Sequence, residues 1–232
     1  MKNARRLLGG LALGAALAVS AGAPALAQEA VARGAPAKPS MRVIMVDVEG
    51  GGGTIFISPE GKSFLSDSGY PAGSGTAPGS PTSVNRIVEA AYRAGLSQID
   101  VYMISHYHGD HIGGTLELMQ AIPIGQFVDH GPNLEPPPAT LRPGQISGQQ
   151  RYDEYMAAIK GKPHRVVNAG DVLRVGSMQI HVVNSRGAVT PRPLTRNAPA
   201  VDCANFEAPE FKPTDENDNS IGVVVQYGNA RV

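Results

Sequence analysis

The chain has 232 residues, 42% apolar and 17% charged, which is enough for one domain with a substantial core. Its 20 basic and 20 acidic residues cancel, and it carries a single cysteine, Cys203. This composition excludes an intramolecular disulfide and gives no electrostatic footprint for nucleic acid.

Residues 1–27 read as a signal peptide. Lys2, Arg5 and Arg6 precede an apolar small-residue stretch from Leu7 to Ala21, and Ala25-Leu26-Ala27 forms a cleavage site before Gln28. The stretch is short and rich in Ala and Gly, so no stable membrane span is expected after cleavage, an uncleaved anchor being the alternative. The expected location is periplasmic or secreted. Cleavage leaves 17 basic against 20 acidic residues, a slightly acidic protein. Residues 28–40 form a flexible lead-in, and 41–232 form the domain.

Met41 to Asp47 predicts a first strand, Gly50 to Gly53 a close turn, and Thr54 to Ser58 the returning strand. With Ser63 to Ser66 these make a β-meander, after a turn at Pro59 to Lys62. The glycines do not form a phosphate loop, since no Gly-Lys-Ser/Thr follows on a helix. Val84, Ile87, Val88, Ala91 and Ala94 have helical spacing over Ser83 to Ala94, with Gly95 as C-cap. Ile99 to Ile104 is an apolar, β-branched run that reads as a buried strand.

That strand runs into Ser105-His106-Tyr107-His108-Gly109-Asp110-His111-Ile112-Gly113-Gly114, where three of the six histidines and one carboxylate fall within six positions. Alternate residues of an extended segment share a face, so His106 and His108 point the same way. Gly109 then lets the backbone turn and brings Asp110 and His111 to a neighbouring point. Imidazole with carboxylate suits zinc, and also iron, manganese or nickel. Two diverging pairs of ligands would suit two metals about 3.5–4 Å apart.

Thr115 to Ala121 predicts a short helix and Ile124 to Val128 a strand. The strand ends at Asp129-His130, which places His130 as a further metal ligand, a substrate-facing group or a solvated turn histidine. Residues 132–150 read as a long loop, with Asn133 a candidate substrate contact. Tyr152, on a helix from Gln150 to Ile159, either lines a substrate pocket or packs. His164 reads as a surface residue, and His181 alternates with apolar neighbours in a strand and faces away from them. Val189 to Pro213 is a Pro-rich loop carrying Arg192, Arg196 and Cys203, and Ser220 to Tyr227 is the closing strand. Cys203 reads as a loop or packing residue rather than a nucleophile.

His106-x-His108-x-Asp110-His111 followed by Gly113-Gly114 resembles the metal-binding signature of the metallo-β-lactamase superfamily. Val46 to Gly51 and Asn217 to Val225 resemble the ComEC-type branch, and Phe64 to Gly69 resembles the superfamily strand ending in Asp-Thr/Ser-Gly. The resemblance runs from about Met41 to the C-terminus. It implies an α/β fold, an αββα sandwich. It also implies a metal-dependent hydrolase that turns a metal-activated water on an ester, phosphodiester or amide-type substrate, with two Zn2+ in the complete protein. His106, His108, Asp110 and His111 would be metal ligands, with Asp110 also catalytic. Asp67 would orient the ligands. Asp47 would either assist in this or form a turn. A non-haem iron redox protein and a non-catalytic ComEC-like module are the alternatives. The family's later histidine has no match at Val183-Asn184-Ser185-Arg186, nor does its late Gly-Asp strand, so a C-terminally truncated domain is expected.

Overall fold

Three strands open the fold: β1 (Arg42–Met45), β2 (Thr54–Ile57) and β3 (Ser63–Ser66), paired antiparallel as the expected meander. The computed structural model describes residues 39–136, 138, 140–141, 143–191, 194 and 215–232. The expected signal peptide at residues 1–27, most of the expected lead-in, Arg192, Arg196 and Cys203 lie outside the described residues. Successive residues are buried along β2 and β3, Ile55 to Ile57 and Ser63 to Leu65, because both faces of these strands are covered. β1 lies at the sheet edge and leaves Met45 largely exposed.

β3 then pairs parallel with β4 (Ile99–Met103), which pairs parallel with β5 (Ile124–Asp129) and that with β6 (His164–Val166). Parallel neighbours need crossover connections, and helices supply them. α1 (Ser83–Arg93) joins β3 to β4, and its N-cap Thr82 accepts from Asn85 N as the predicted start requires. α2 (Gly109–Ile112) and α3 (Thr115–Ala121) follow β4. α4 (Gly148–Ala158) starts two residues earlier than its apolar spacing suggests, because Ser147 caps it by accepting from Gln150 N.

A second sheet, antiparallel throughout, holds β7 (Val172–Val175), β8 (Met178–Ser185), β9 (Ala188–Val189), β10 (Gly222–Tyr227) and β11 (Ala230–Arg231). Two cores separate three layers. Val84, Ile87, Leu118 and Tyr155 of the helices pack on Ile55, Leu65 and Tyr102 of the first sheet. Phe64, Val101 and Val128, from that sheet's other face, meet Leu173, Ile180, Val182 and Val225 of the second. The α/β layering is the expected one. His181 sits on the half-buried face of β8, opposite Ile180 and Val182, as alternation predicts.

Asp129 ends β5 fully buried and accepts from Gly131 N at 2.8 Å, Tyr155 Oη at 2.8 Å and His164 Nε2 at 2.6 Å. It thereby ties β5, α4 and β6 together. His164, expected at the surface, is instead half-buried by this bond, a contact between residues 35 apart that local sequence does not announce. Between the sheets, Glu60 accepts from Ser177 N at 3.2 Å and Ser177 Oγ at 3.0 Å, linking the β2–β3 and β7–β8 turns. Hydrogen bonds from Ser58 and Ser177 hold the Glu60 carboxyl down at about 2.

Two measurements test these links. Asp129→Ala strands the buried Tyr155 hydroxyl and the Gly131 amide, and should lower stability by on the order of 3 kcal/mol in urea denaturation. Glu60 has a folded pKa below its ordinary 4.5, so its contribution is complete above 4.5 and is lost as pH falls towards about 2. Glu60→Gln should flatten the acid decline of the thermal midpoint within that window, whereas an unchanged pH profile would remove Glu60 from the account.

Candidate metal centre

The His106–His111 loop leaves the end of β4 and is gripped by backbone on two sides. Gly52 N donates to Asp110 O at 3.2 Å and Ser68 N donates to His111 O at 2.9 Å. Gly51 has φ +72°, and a Cβ there would lie 1.7 Å from Asp110 O, so the glycine-rich turn is what lets the loop approach. The loop side chains cluster: the His106 ring centre lies 5.0 Å from that of His108 and 4.0 Å from that of His111, and His111 Nε2 is 3.5 Å from Asp110 Oδ2.

Asp67 sets the proton positions. It is buried at the end of β3, at φ +61°, and its N–H donates to Met103 O. Asp67 Oδ1 accepts from Ser105 N at 2.7 Å, and Oδ2 accepts from Ser105 Oγ at 2.8 Å. His111 Nδ1 lies 2.8 Å from the same Oδ2. A carboxylate only accepts, so His111 carries its proton on Nδ1 and keeps a lone pair on Nε2. Ser105 has one proton and gives it to Asp67. Its oxygen, 3.0 Å from His106 Nδ1, therefore accepts from that nitrogen. His106 is left with a bare Nε2, and that atom is buried without a hydrogen-bond partner. His108 Nε2 faces Glu135 Oε1 at 3.3 Å, which leaves Nδ1 free by the same argument.

Burial, then the charge of His111, pushes His106 down to about 4, so it is neutral near pH 7 as a ligand must be. Burial works against charging His111 too, but the hydrogen bond and charge of Asp67 outweigh it and raise its pKa. With His111 neutral, the loop offers three imidazole lone pairs and one carboxylate, a donor set that fits a divalent cation of the zinc class, and a cation bound at His111 Nε2 would displace the proton that Asp67 favours. Among the described residues no three His, Cys, Asp or Glu side chains are arranged to hold a metal ion together, so these donors would have to move to share one.

The remaining candidates are placed elsewhere. His130 is fully buried, with Nε2 2.7 Å from Glu216 Oε1 in a contact too poorly aligned for a hydrogen bond. Its ring packs 4.7 Å from that of Tyr107, and it lines no part of the cavity described below. Asn133 ties its loop to α4, donating to Glu135 O and Gln149 Oε1 at 3.2 Å each. Tyr152 packs against Tyr107 with ring centres 4.9 Å apart. Asp47 is exposed and accepts from Glu49 N, a turn role beside Arg86.

Two residues escaped the sequence reading. Glu135, in the loop after β5, and Arg151, on α4, both line a cavity of about 330 Å³ together with His108 and Asp110. Neither lies within a recognisable motif. Arg151 stands four residues after a Ser N-cap, the only local signal that its helix end faces the loop.

A family model described as "Metallo-beta-lactamase superfamily" matches residues 49–199, well over half of the chain. No curated protein matches. Among solved structures, the Rm3 metallo-beta-lactamase is 16% identical, with 81% of this chain and 54% of that one covered and a TM-score of 0.44. SMB-1, bound to 2-mercaptoethanesulfonate, is 13% identical over 82% of this chain and 57% of that one, with a TM-score of 0.46. The metallo-beta-lactamase fold protein YhfI from Bacillus subtilis is 13% identical over 83% and 60%, with a TM-score of 0.43. The chain thus spans little more than half the length of these structures. On the family match, this chain belongs to the metallo-β-lactamase superfamily.

Proposed function

We propose that the protein is an exported metal-dependent hydrolase acting on an ester, phosphodiester or amide-type substrate, its cation held by His106, His108, Asp110 and His111. One observation carries this reading. Each of the three clustered imidazoles has one nitrogen committed to an orienting oxygen and the other left as a lone pair, beside a carboxylate and a cavity. A bound divalent cation supplies Lewis acidity and draws the ionisation of water towards about pH 7.

The chain's own residues supply the rest. His106 Nε2, His108 Nδ1 and His111 Nε2 are the donors that the hydrogen bonds leave free. Ser105, Asp67 and Glu135 fix the tautomers. Asp110 lines the cavity, where its carboxylate accepts a proton from water and orients that water towards the substrate. Zinc, two ions in a complete site, is the metal that superfamily membership favours, and iron or manganese would suit the same donors. Val46 to Gly51 and Asn217 to Val225 favour the ComEC-type branch and, with it, a phosphodiester or related ester. Export rests on Lys2, Arg5, Arg6 and the apolar run to Ala27. No helix among the described residues is long and apolar enough to cross a membrane.

Metal analysis of the purified protein tests the reading directly. His106→Ala and His108→Ala should each lose bound zinc and hydrolysis of chromogenic ester and phosphodiester substrates, and a His108→Ala protein that kept both would exclude the mechanism. Asp67→Asn keeps a residue that tolerates positive φ but replaces an acceptor with an amide. It should weaken zinc binding by about 10–100-fold in competition with a chromogenic chelator.

A further inference from the structure

The cavity beside the cluster is lined by two carboxylates, Asp110 and Glu135, and by one guanidinium, Arg151, that the metal chemistry does not use. Arg151 projects from α4 into it, packed so closely on the metal loop that a Cβ on Gly109 would lie 2.9 Å from its Nη2. The other half-buried arginine among the described residues has a carboxylate partner: Arg86 has Glu49. Arg42, Arg174, Arg186 and Arg231 have no carboxylate partner but are exposed. Among the described residues, Arg151 is the arginine that is half-buried and has no carboxylate within ion-pair distance. Burial disfavours its charge, and only the more distant Glu154 and Asp110 support it.

A guanidinium withdrawn from water without a counter-ion is costly, and its planar fork matches two oxygens on one centre. The helix end nearby does not compete for the same ligand. A Cβ on Gly148 would lie 2.8 Å from Glu135 Oε2, so the first turn of α4 already has a carboxylate against it. A cation on Asp110 would neutralise the closest support Arg151 has on the metal loop and leave the guanidinium still more in need of an anion.

We propose that Arg151 is the specificity-determining residue of this cavity, binding the paired oxygens of a carboxylate or phosphoryl group on the substrate. The protein thereby selects substrates that carry a negative charge beside the bond presented to Asp110 and the histidine cluster. The assignment rests on the metallo-hydrolase reading for what happens to that substrate, but anion binding itself does not depend on it.

The test is calorimetric titration of the full protein with inorganic phosphate and, separately, with acetate, in the presence of chelator and again with zinc. Wild type should bind at least one of the two. Arg151→Met should weaken that binding about tenfold or more. Arg151→Lys, which keeps charge without the fork, should fall between, and the exposed Arg174→Met should match wild type. Zinc content should be the same in wild type and Arg151→Met. A preference for phosphate assigns a phosphoryl group, and a preference for acetate assigns a carboxylate. Binding by Arg151→Met as tight as wild type, or no binding of either anion by wild type in both conditions, overturns the proposal. A wild type that takes up no zinc yet loses phosphate binding on Arg151→Met would defeat the hydrolase reading and leave the anion site standing.

Discussion

One buried carboxylate holds the site together. Asp67 receives Ser105 N, Ser105 Oγ and His111 Nδ1, and through Ser105 it also fixes His106. It does so from a left-handed backbone conformation, at φ +61°, which costs about 1–3 kcal/mol for a residue with a Cβ. Each hydrogen bond to a charged group contributes about 1.5–3 kcal/mol, so three of them outweigh the strain and offset the desolvation of the carboxylate. The geometry explains why the strained conformation persists: the strand must turn at Asp67 for its carboxylate to reach back under β4. Relaxing the backbone would remove one acceptor from three groups at once.

Behind the cluster lies a second polar layer that anchors the loop in the core. Tyr107 points inward between the two histidines of the loop, donating to Gly131 O and stacking on His130 and Tyr152. Asp129 fastens the neighbouring strand end to α4 and β6. His106 and His108 therefore project from a segment whose intervening residue is clamped into the core. A donor set carried on a mobile loop would have to be ordered at the moment of binding, at an entropic cost of about 1–2 kcal/mol per residue. Here that ordering comes with folding.

The short-range part of this was legible in the chain. Apolar runs separated by Gly and Pro turns placed the meander of β1 to β3, alternation placed the face of β8 that carries His181, and 3.6-residue spacing placed α1. The His-x-His-x-Asp-His run announced a donor cluster because ligand spacing is local. Contacts between distant residues stayed hidden. His130 looked like a rim histidine because it follows a strand in the right direction, but it is buried beside Tyr107 and beside Glu216, 86 positions away. Asn133 looked like a pocket residue for want of knowing that Gln149 would meet it, and of the two readings open for Tyr152, packing is the one its contact with Tyr107 supports. Glu135 sat in a proline-rich stretch where no periodicity assigns a direction. Arg151 was one charge on a helix of mixed character, and neither its burial nor its lack of a carboxylate partner can be read from composition.

The same division separates the chemistry from the choice of substrate. Asp67, Ser105 and the four loop donors come from β3 and β4 and their ends, packed against the glycine turn at residues 51–52. The cavity wall comes from the connection after β5 and the first turn of α4, where Glu135, Ser147 and Arg151 lie. Glu135 belongs to both: it holds His108 Nε2 and it lies against Gly148 at the start of α4. A shift of that helix start would therefore reach His108 through a single carboxylate, whereas His106 and His111 are fixed from the opposite side by Ser105 and Asp67. Of the three imidazoles, His108 is the one whose orientation is coupled to the substrate wall, and it is also the most loosely held, by a bond of 3.3 Å against 3.0 and 2.8 Å. Changes in residues 132–151 can alter what the cavity admits and how His108 is aimed while leaving the other two ligands in place.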